Sequence, residues 1–243
     1  MIVINEILDV LNCTFISRLN RFTVRIKIGD REDNAHLTNT GRLHDVLVGG
    51  GKGLCMKING SKLKYRLIAL SDPLYSDSYM VIDTIIQNRS FEKIIENNLL
   101  SWFRNCIVLK RNPKVNDSLL DYLLECNGAR VYVETKSAVL RGSMGEAMYP
   151  DCSSVRGRRH IMELMSLWKR GINASIVFIA GMRGVRCFMP YKEGDQVVDE
   201  LLCKAYNLGL PIHAFSIYMD ANGRIYLDNP SLNLCSHWWC LSN

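Results

Sequence analysis

No apolar run in this chain approaches the roughly 18 residues that a membrane-spanning helix needs. The longest candidates, Ala174–Ala180 and Val131–Val133, have the length of strands. The opening Met1-Ile-Val-Ile-Asn-Glu6 lacks a basic stretch ahead of an apolar one, so no secretory leader is expected. A membrane partner is thereby excluded and a cytoplasmic location expected. Low-complexity segments and internal repeats are missing as well. With 48% hydrophobic and 22% charged residues, the composition excludes a disordered tail or a collagen-like fibre. No C-x-x-C pair occurs among the nine cysteines, whose number is odd and whose positions are scattered. A secreted disulfide scaffold would be shorter and denser in cysteine, so these read as buried thiols in a reducing cytosol. Cys235, His237 and Cys240 lack a fourth metal ligand and surround Trp238-Trp239, which reads as a C-terminal apolar plug. Gly49–Gly53 contains Lys52 but neither the spacing nor the hydroxyl of a phosphate-binding P-loop. His44 and His213 have no recognisable partners and read as structural.

What is present is a chain of 243 residues, enough for one large or two small domains at about 150 residues each. Thirty basic and 24 acidic side chains leave a net charge of +6, which permits a polyanionic partner without requiring one. Residues 1–83 carry 11 basic against 9 acidic groups, and residues 84–243 carry 19 against 15. Any contact with nucleic acid must therefore come from local patches.

The first third reads as strands. Phe22–Ile28 alternates apolar and polar, Ala35-His-Leu37 is a short strand, and Leu54–Ile58 is followed by Asn59-Gly60, a hairpin signal, and by Lys64–Leu70. Short strands at this spacing point to a small antiparallel barrel. After a boundary near residues 72–85 the pattern changes. Phe91, Ile94, Ile95 and Leu99 predict a helix over about Ser90–Leu100. Strands are expected at Cys106–Leu109, Ser118–Glu125 and Arg130–Thr135, the last two joined by Asn127-Gly128. Ile161, Leu164, Met165 and Trp168 form one helical face ending at Gly171. Strands at Ser175–Ala180 and Val185–Met189, a helix at Gln196–Asn207, and strands at Ile212–Met219 and Arg224–Leu227 complete an α/β domain. The expected division is a barrel over 1–83 and an α/β domain over 84–243.

Three stretches could carry chemistry. Residues i and i+2 of a strand share a face, so Glu134 and Lys136 project together, and the hairpin can bring Asp121 to the same side. Two converging carboxylates make a hard oxygen site suited to Mg²⁺ or Mn²⁺. A lysine beside such an ion can orient or help deprotonate a water, and can neutralise a phosphate, as metal-dependent phosphodiester cleavage requires. Glu92 and Glu96, one turn apart on the upstream helix, could each add a third carboxylate. Second, Arg156, Arg158, Arg159 and His160 crowd the start of a helix. Cations there oppose the helix dipole unless an anion visits, which suggests phosphate contact. Third, His36-Leu-Thr-Asn39-Thr-Gly-Arg42-Leu43 is a turn by composition, which Arg18, Arg21 and Arg42 could rim.

Taken in order, these segments resemble the sugar fermentation stimulation protein family. The resemblance rests on Arg21-Phe22, on His36–Leu43 against H-x-P-N-T-G-R-M, on Lys64-Tyr65, and on Ile82-Asp83-Thr84 with Asn88-Arg89. It continues with Ser118-Leu-Leu-Asp121-Tyr against S-R-(I/L)-D-F, and Tyr132-Val-Glu134-Thr-Lys136-Ser against Y-(I/V)-E-V-K-S. Tyr149-Pro-Asp151 and Arg156-Gly157 with His160 match F-P-D…R-G-x-x-H. Such membership implies an OB-fold-like N-terminal barrel followed by an α/β domain of the PD-(D/E)-X-K nuclease type. It also implies DNA binding and a role suggested for bacterial members in regulating sugar-utilisation genes. It places metal carboxylates on Asp121 and Glu134, the catalytic lysine on Lys136, and a helix carboxylate on Glu92 or Glu96. Leu119 stands where the family has arginine, and Thr38 where it has proline, an exchange expected to loosen the turn.

Two functions follow as expectations. One is a Mg²⁺- or Mn²⁺-dependent nuclease acting on DNA or RNA, with Arg156, Arg158 and Arg159 clamping the phosphate and His160 adding to the basic cluster. The other is a non-catalytic DNA-binding regulator using Arg18, Arg21, Arg42, Lys64 and Arg66 of the barrel. The oligomeric state is left open, a homodimer included. No paired-carboxylate glycosidase pattern is evident.

Overall fold

Alternating strands in the first 71 residues close on themselves. A computed structural model of the chain describes residues 2–242. Leu11–Asn20 pairs with Thr23–Ile28, Thr23–Ile28 with Arg31–His36, and Lys52–Lys57 with both Leu11–Asn20 and Tyr65–Ser71. A short parallel pairing of Ala35 and His36 with Tyr65 and Arg66 completes a five-stranded barrel. Its interior holds the inward-facing residues of the alternation, among them Phe15, Val24, Ile26, Ala35, Leu37 and Leu67.

The barrel's sheet does not stop at the expected boundary. Tyr79–Val81 pairs with Tyr65–Ser71 on one side and, through Tyr79, with Met219 of strand Ile212–Met219 on the other. From there the order runs Ile212–Met219, Ala174–Ala180, Ala129–Ser137, Tyr122–Cys126 and Cys106–Arg111. The three central strands are parallel and the last two antiparallel. Ile2–Glu6, which precedes the barrel strands, pairs with Arg224–Asn229 in the second sheet half.

Ala174–Ala180 is buried along its whole length, as a strand covered on both faces must be. Ile176 and Phe178 face helices α2 (Val155–Lys169) and α3 (Gln196–Asn207), whereas Val177 and Ile179 face helix α1 (Thr84–Glu96). α1 starts six residues earlier than its apolar periodicity indicates. The buried Asp83 caps it by accepting from Ile86 N at 2.7 Å, and Asn98, at φ 54°, ends it before Leu99. The stretch expected as one strand over Ser118–Glu125 is two, Ser118–Leu119 and Tyr122–Cys126. Asp121 lies in the break between them. The Asn127-Gly128 turn is present, both residues at positive φ.

Thr38 does not loosen its turn. Its hydroxyl accepts from Thr84 N at 3.0 Å, which ties the turn after strand Arg31–His36 to the start of α1. Asn39 Oδ1 accepts from Gly41 N at 3.0 Å and closes the turn locally.

The reading of the cysteines as free thiols is corrected. Cys106–Cys126, Cys187–Cys235 and Cys203–Cys240 are disulfides, and Cys13, Cys55 and Cys152 are free. Cys106 and Cys126 are direct cross-strand partners. The other two bridges fasten the C-terminal tail, where Trp238 is buried and both Trp238 and Trp239 donate their indole N–H to Asp199. The tail is therefore a plug, as expected, and a covalently stapled one. His237 pairs with Glu146 at 3.0 Å. His213 stacks on Trp102, and burial lowers its pKa to about 4. No helix among the described residues is long and apolar enough to cross a membrane.

Candidate active site

Asp121 and Glu134 meet where the antiparallel hairpin ends. The last register pair is Tyr122–Val133, which sets Asp121 opposite Glu134. Asp121 N donates to Glu134 Oε2 at 3.2 Å. Asp121 Oδ2 in turn accepts from Thr135 N at 2.9 Å and lies 2.6 Å from the Thr135 hydroxyl. Glu134 Oε1 accepts from Lys136 Nζ and contacts His160 Nδ1. The i, i+2 geometry thus delivers Lys136 to its carboxylate, and the hairpin delivers Asp121.

Electrostatics separate these groups. Burial pushes the Asp121 carboxyl above its usual range, and the neighbouring Glu134 adds to that. Burial also pushes Glu134 upward, but Lys136 and His160 outweigh it and leave Glu134 below the ordinary value. Burial pulls Lys136 down. Glu134, Tyr149 and Asp121 more than reverse this, so its pKa is raised and the ammonium persists at neutral pH. Lys136 is therefore a cation and hydrogen-bond donor to Glu134 here.

The helix carboxylates take other partners. Glu92 is held bidentately by Arg111, with both contacts at 2.7 Å, and accepts from the Tyr122 hydroxyl at 3.1 Å. Arg111 holds its carboxyl below the usual range. Glu96 is exposed and pairs with Lys93. Neither joins Asp121 and Glu134. Among the described residues no cluster of three or more His, Cys, Asp or Glu side chains suits a metal. The α1 residue that reaches the site is Asn88, whose amide oxygen lies 2.9 Å from the Thr135 hydroxyl. It sits one turn before Glu92, within the Asn88-Arg89 pair that carries part of the family resemblance. Nothing in its residue type marked it as part of the site.

The expected cations divide likewise. Arg18 is consumed by backbone carbonyls, donating to Asn20 O, Arg21 O, Gly41 O and Arg42 O. Arg66 lies 2.9 Å from the buried Asp83 carboxylate as an ion pair. Arg158 grips Asp195 at 2.9 Å, and Asp195 also caps α3 through Val198 N and accepts from Ser154 N. His160 is buried against Glu134 and does not face solvent. Lys64 is exposed and donates to Gly60 O at 3.0 Å on the barrel. Arg21, Arg42, Arg156 and Arg159 are exposed.

The barrel's turn docks onto the end of the strand that carries Glu134 and Lys136, and onto Asp151. Asn39 Nδ2 donates to the hydroxyl of Ser137, the residue after Lys136, at 3.1 Å. Leu43 N donates to Asp151 Oδ2 at 2.6 Å. Gly41 faces the same carboxylate so closely that a Cβ there would lie 2.5 Å from Asp151 Oδ1. Gly157, in the first turn of α2, is likewise hemmed by Ser154 Oγ and the Tyr149 hydroxyl, each 2.6 Å from where a Cβ would stand.

An OB barrel sharing a sheet with an α/β domain, with an Asp/Glu/Lys constellation at the hairpin end, defines the class of protein. Family models agree: residues 16–82 match the SfsA N-terminal OB domain, and residues 85–223 match the sugar fermentation stimulation protein RE domain. The chain belongs to the sugar fermentation stimulation protein family. A sugar fermentation stimulation protein homolog of Pyrococcus furiosus is 45% identical over 221 residues, covering 90% of this chain and 94% of its relative. One from Archaeoglobus fulgidus is 38% identical over 230 residues, covering 94% and 97%. The solved structure of Pyrococcus furiosus SfsA in complex with Ca²⁺ superposes with a TM-score of 0.92 at 41% identity, covering 97% of this chain and all of that one.

Proposed function

We propose that this chain binds DNA and hydrolyses phosphodiester bonds at Asp121, Glu134 and Lys136, in the manner of PD-(D/E)-X-K nucleases. The observation that carries the reading is the buried meeting of two carboxylates with a single ammonium. Asp121 and Glu134 repel one another, and Lys136 offsets only one of the two charges. A divalent cation fits that excess. Mg²⁺ in particular binds through one or two carboxylates and keeps several waters, so the absence of a third acid suits it. Asp121 and Glu134 would hold Mg²⁺ or Mn²⁺, which when bound supplies Lewis-acid polarisation of a phosphoryl oxygen and a more acidic water. Lys136 donates to a phosphate oxygen or assists the attacking water. Thr135 holds the Asp121 carboxylate in place through its backbone N–H, and its hydroxyl lies between that carboxylate and the Asn88 amide oxygen. Arg42, Arg156 and Arg159, with Arg21 and Lys64, are the exposed members of the expected cation set and are offered to the backbone phosphates.

The test is cleavage of single- and double-stranded DNA, and of RNA, with Mg²⁺ or Mn²⁺ and then with chelator. Lys136→Ala should reduce the rate at least about 100-fold in protein shown to remain folded. Equal cleavage by wild type and Lys136→Ala overturns the reading. The non-catalytic regulator is the second reading, and the neutralisation of Glu92 by Arg111 favours it. Salt-sensitive DNA binding with no cleavage by wild type in either metal would select it.

A further inference from the structure

His160 is 1% exposed, in the first half of α2, with its Nδ1 against Glu134 Oε1. Its other ring nitrogen, Nε2, lies 3.4 Å from Arg156 Nε, one turn earlier. A guanidinium N–H can only donate, so Nε2 presents its lone pair and the ring proton resides on Nδ1. Nδ1–H therefore donates to Glu134. With Lys136 on the same oxygen and Asp121 N on Oε2, every part of the Glu134 carboxylate is directed. Without His160, Oε1 would keep only the flexible lysine, and the carboxylate could rotate about its last torsion. A buried imidazole with packing as its whole role would need neither the carboxylate nor the arginine.

We propose that His160 is a positioning residue: its Nδ1–H fixes the Glu134 carboxylate so that Oε2 faces Asp121, and Arg156 fixes the tautomer that makes this donation. The inference rests on the reading of Asp121 and Glu134 as a divalent-cation site. It withdraws His160 from the residues that touch nucleic acid and gives Arg156 a second role beside phosphate contact.

The test is calorimetric titration with Ca²⁺ and Mn²⁺ alone, without nucleic acid, on wild type, His160→Asn, His160→Gln and His160→Ala. The Asn amide nitrogen stands where Nδ1 does, two bonds from Cβ, and the Gln amide stands one carbon further out. His160→Ala and His160→Gln should bind the ion roughly 10- to 100-fold more weakly, and His160→Asn should fall within about threefold of wild type. In cleavage, kcat should fall in the same order with little change in KM for DNA. If His160→Ala does not fold, the Asn and Gln variants carry the comparison. Unchanged ion affinity in His160→Ala or His160→Gln overturns the proposal, as does an Asn variant that melts like wild type yet binds as weakly as Gln. Failure of wild type itself to bind either ion overturns the underlying cation-site reading, and the proposal with it.

Discussion

Asp195 shows how one carboxylate can serve two helices. It caps α3, receives Ser154 N at the start of α2, and holds Arg158, a cation that would otherwise oppose the α2 dipole. Burial alone would push its carboxyl up. Arg158 and the two backbone N–H groups outweigh burial and hold it below the usual value. A carboxyl depressed on folding stabilises the native state fully above its unfolded value, near 4, and loses that contribution as pH falls through the lower folded value. Asp195→Ala should therefore cost about 1–2 kcal/mol at pH 7, and the deficit should shrink below about pH 4, where wild type also takes up the proton. Urea unfolding of both proteins across pH 3 to 7 measures it. A deficit that does not vary with pH would show that Asp195 acts by packing alone.

At the scale of elements, the barrel turn and the carboxylate strand form one unit. The turn is fastened through Asn39 to Ser137 and through Leu43 to Asp151. Gly41 lets it approach, since any Cβ would strike the Asp151 carboxylate. Gly41→Ala should lower stability by about 1–3 kcal/mol, and the effect should be smaller in an Asp151→Ala background than in wild type. A double-mutant cycle by urea unfolding checks this, and strictly additive losses would refute the contact. The same unit shows where the sequence is legible. The bounds of α3 and of strand Ile212–Met219 are those its periodicity indicates, and the Asn127-Gly128 turn is where its residue types put it. Asp121, Glu134 and Lys136 come together because a hairpin and a period of two are local rules. Asn39 and Ser137 lie 98 residues apart, and Leu43 and Asp151 lie 108 apart. No local rule reaches that far. The same limit hid the partners of Glu92, Arg66 and Arg158. Each looked available for a ligand, and each is satisfied by a residue that only the tertiary fold brings near. α1 was misplaced for a nearer reason: its first turn, Thr84–Gln87, is marked by the cap at Asp83 and not by the apolar spacing that begins at Phe91.

Over the whole molecule, two kinds of connection bind the ends to the centre. One is the sheet: Ile2–Glu6 crosses to Arg224–Asn229, and Tyr79–Val81 carries the barrel's hydrogen bonding into the α/β half. The other is covalent. Cys187–Cys235 and Cys203–Cys240 span 48 and 37 residues and pin the tail that carries Trp238 and Trp239. In the chain-entropy view, loops of these lengths restrict the unfolded chain by about 4 kcal/mol each. Scattered spacing gave no sign of this, because each bridge joins cysteines that only the folded strands and helices bring together. Protein denatured without reductant should expose three reactive thiols, those of Cys13, Cys55 and Cys152, and nine after reduction. Nine without reductant would overturn the bridges. Reduction should also lower the melting temperature and shift tryptophan emission ahead of the loss of sheet signal. The tail would then detach as a unit, since Trp238 depends on the Asp199 contact that the staples hold in place. Barrel and α/β half should still unfold together in one transition, because the strand Tyr79–Val81 cannot serve one half's sheet while the other half is absent. A reduced protein that unfolds in two sheet transitions would show that the shared sheet does not couple the halves, and that the oxidised protein owes its unity to the bridges instead.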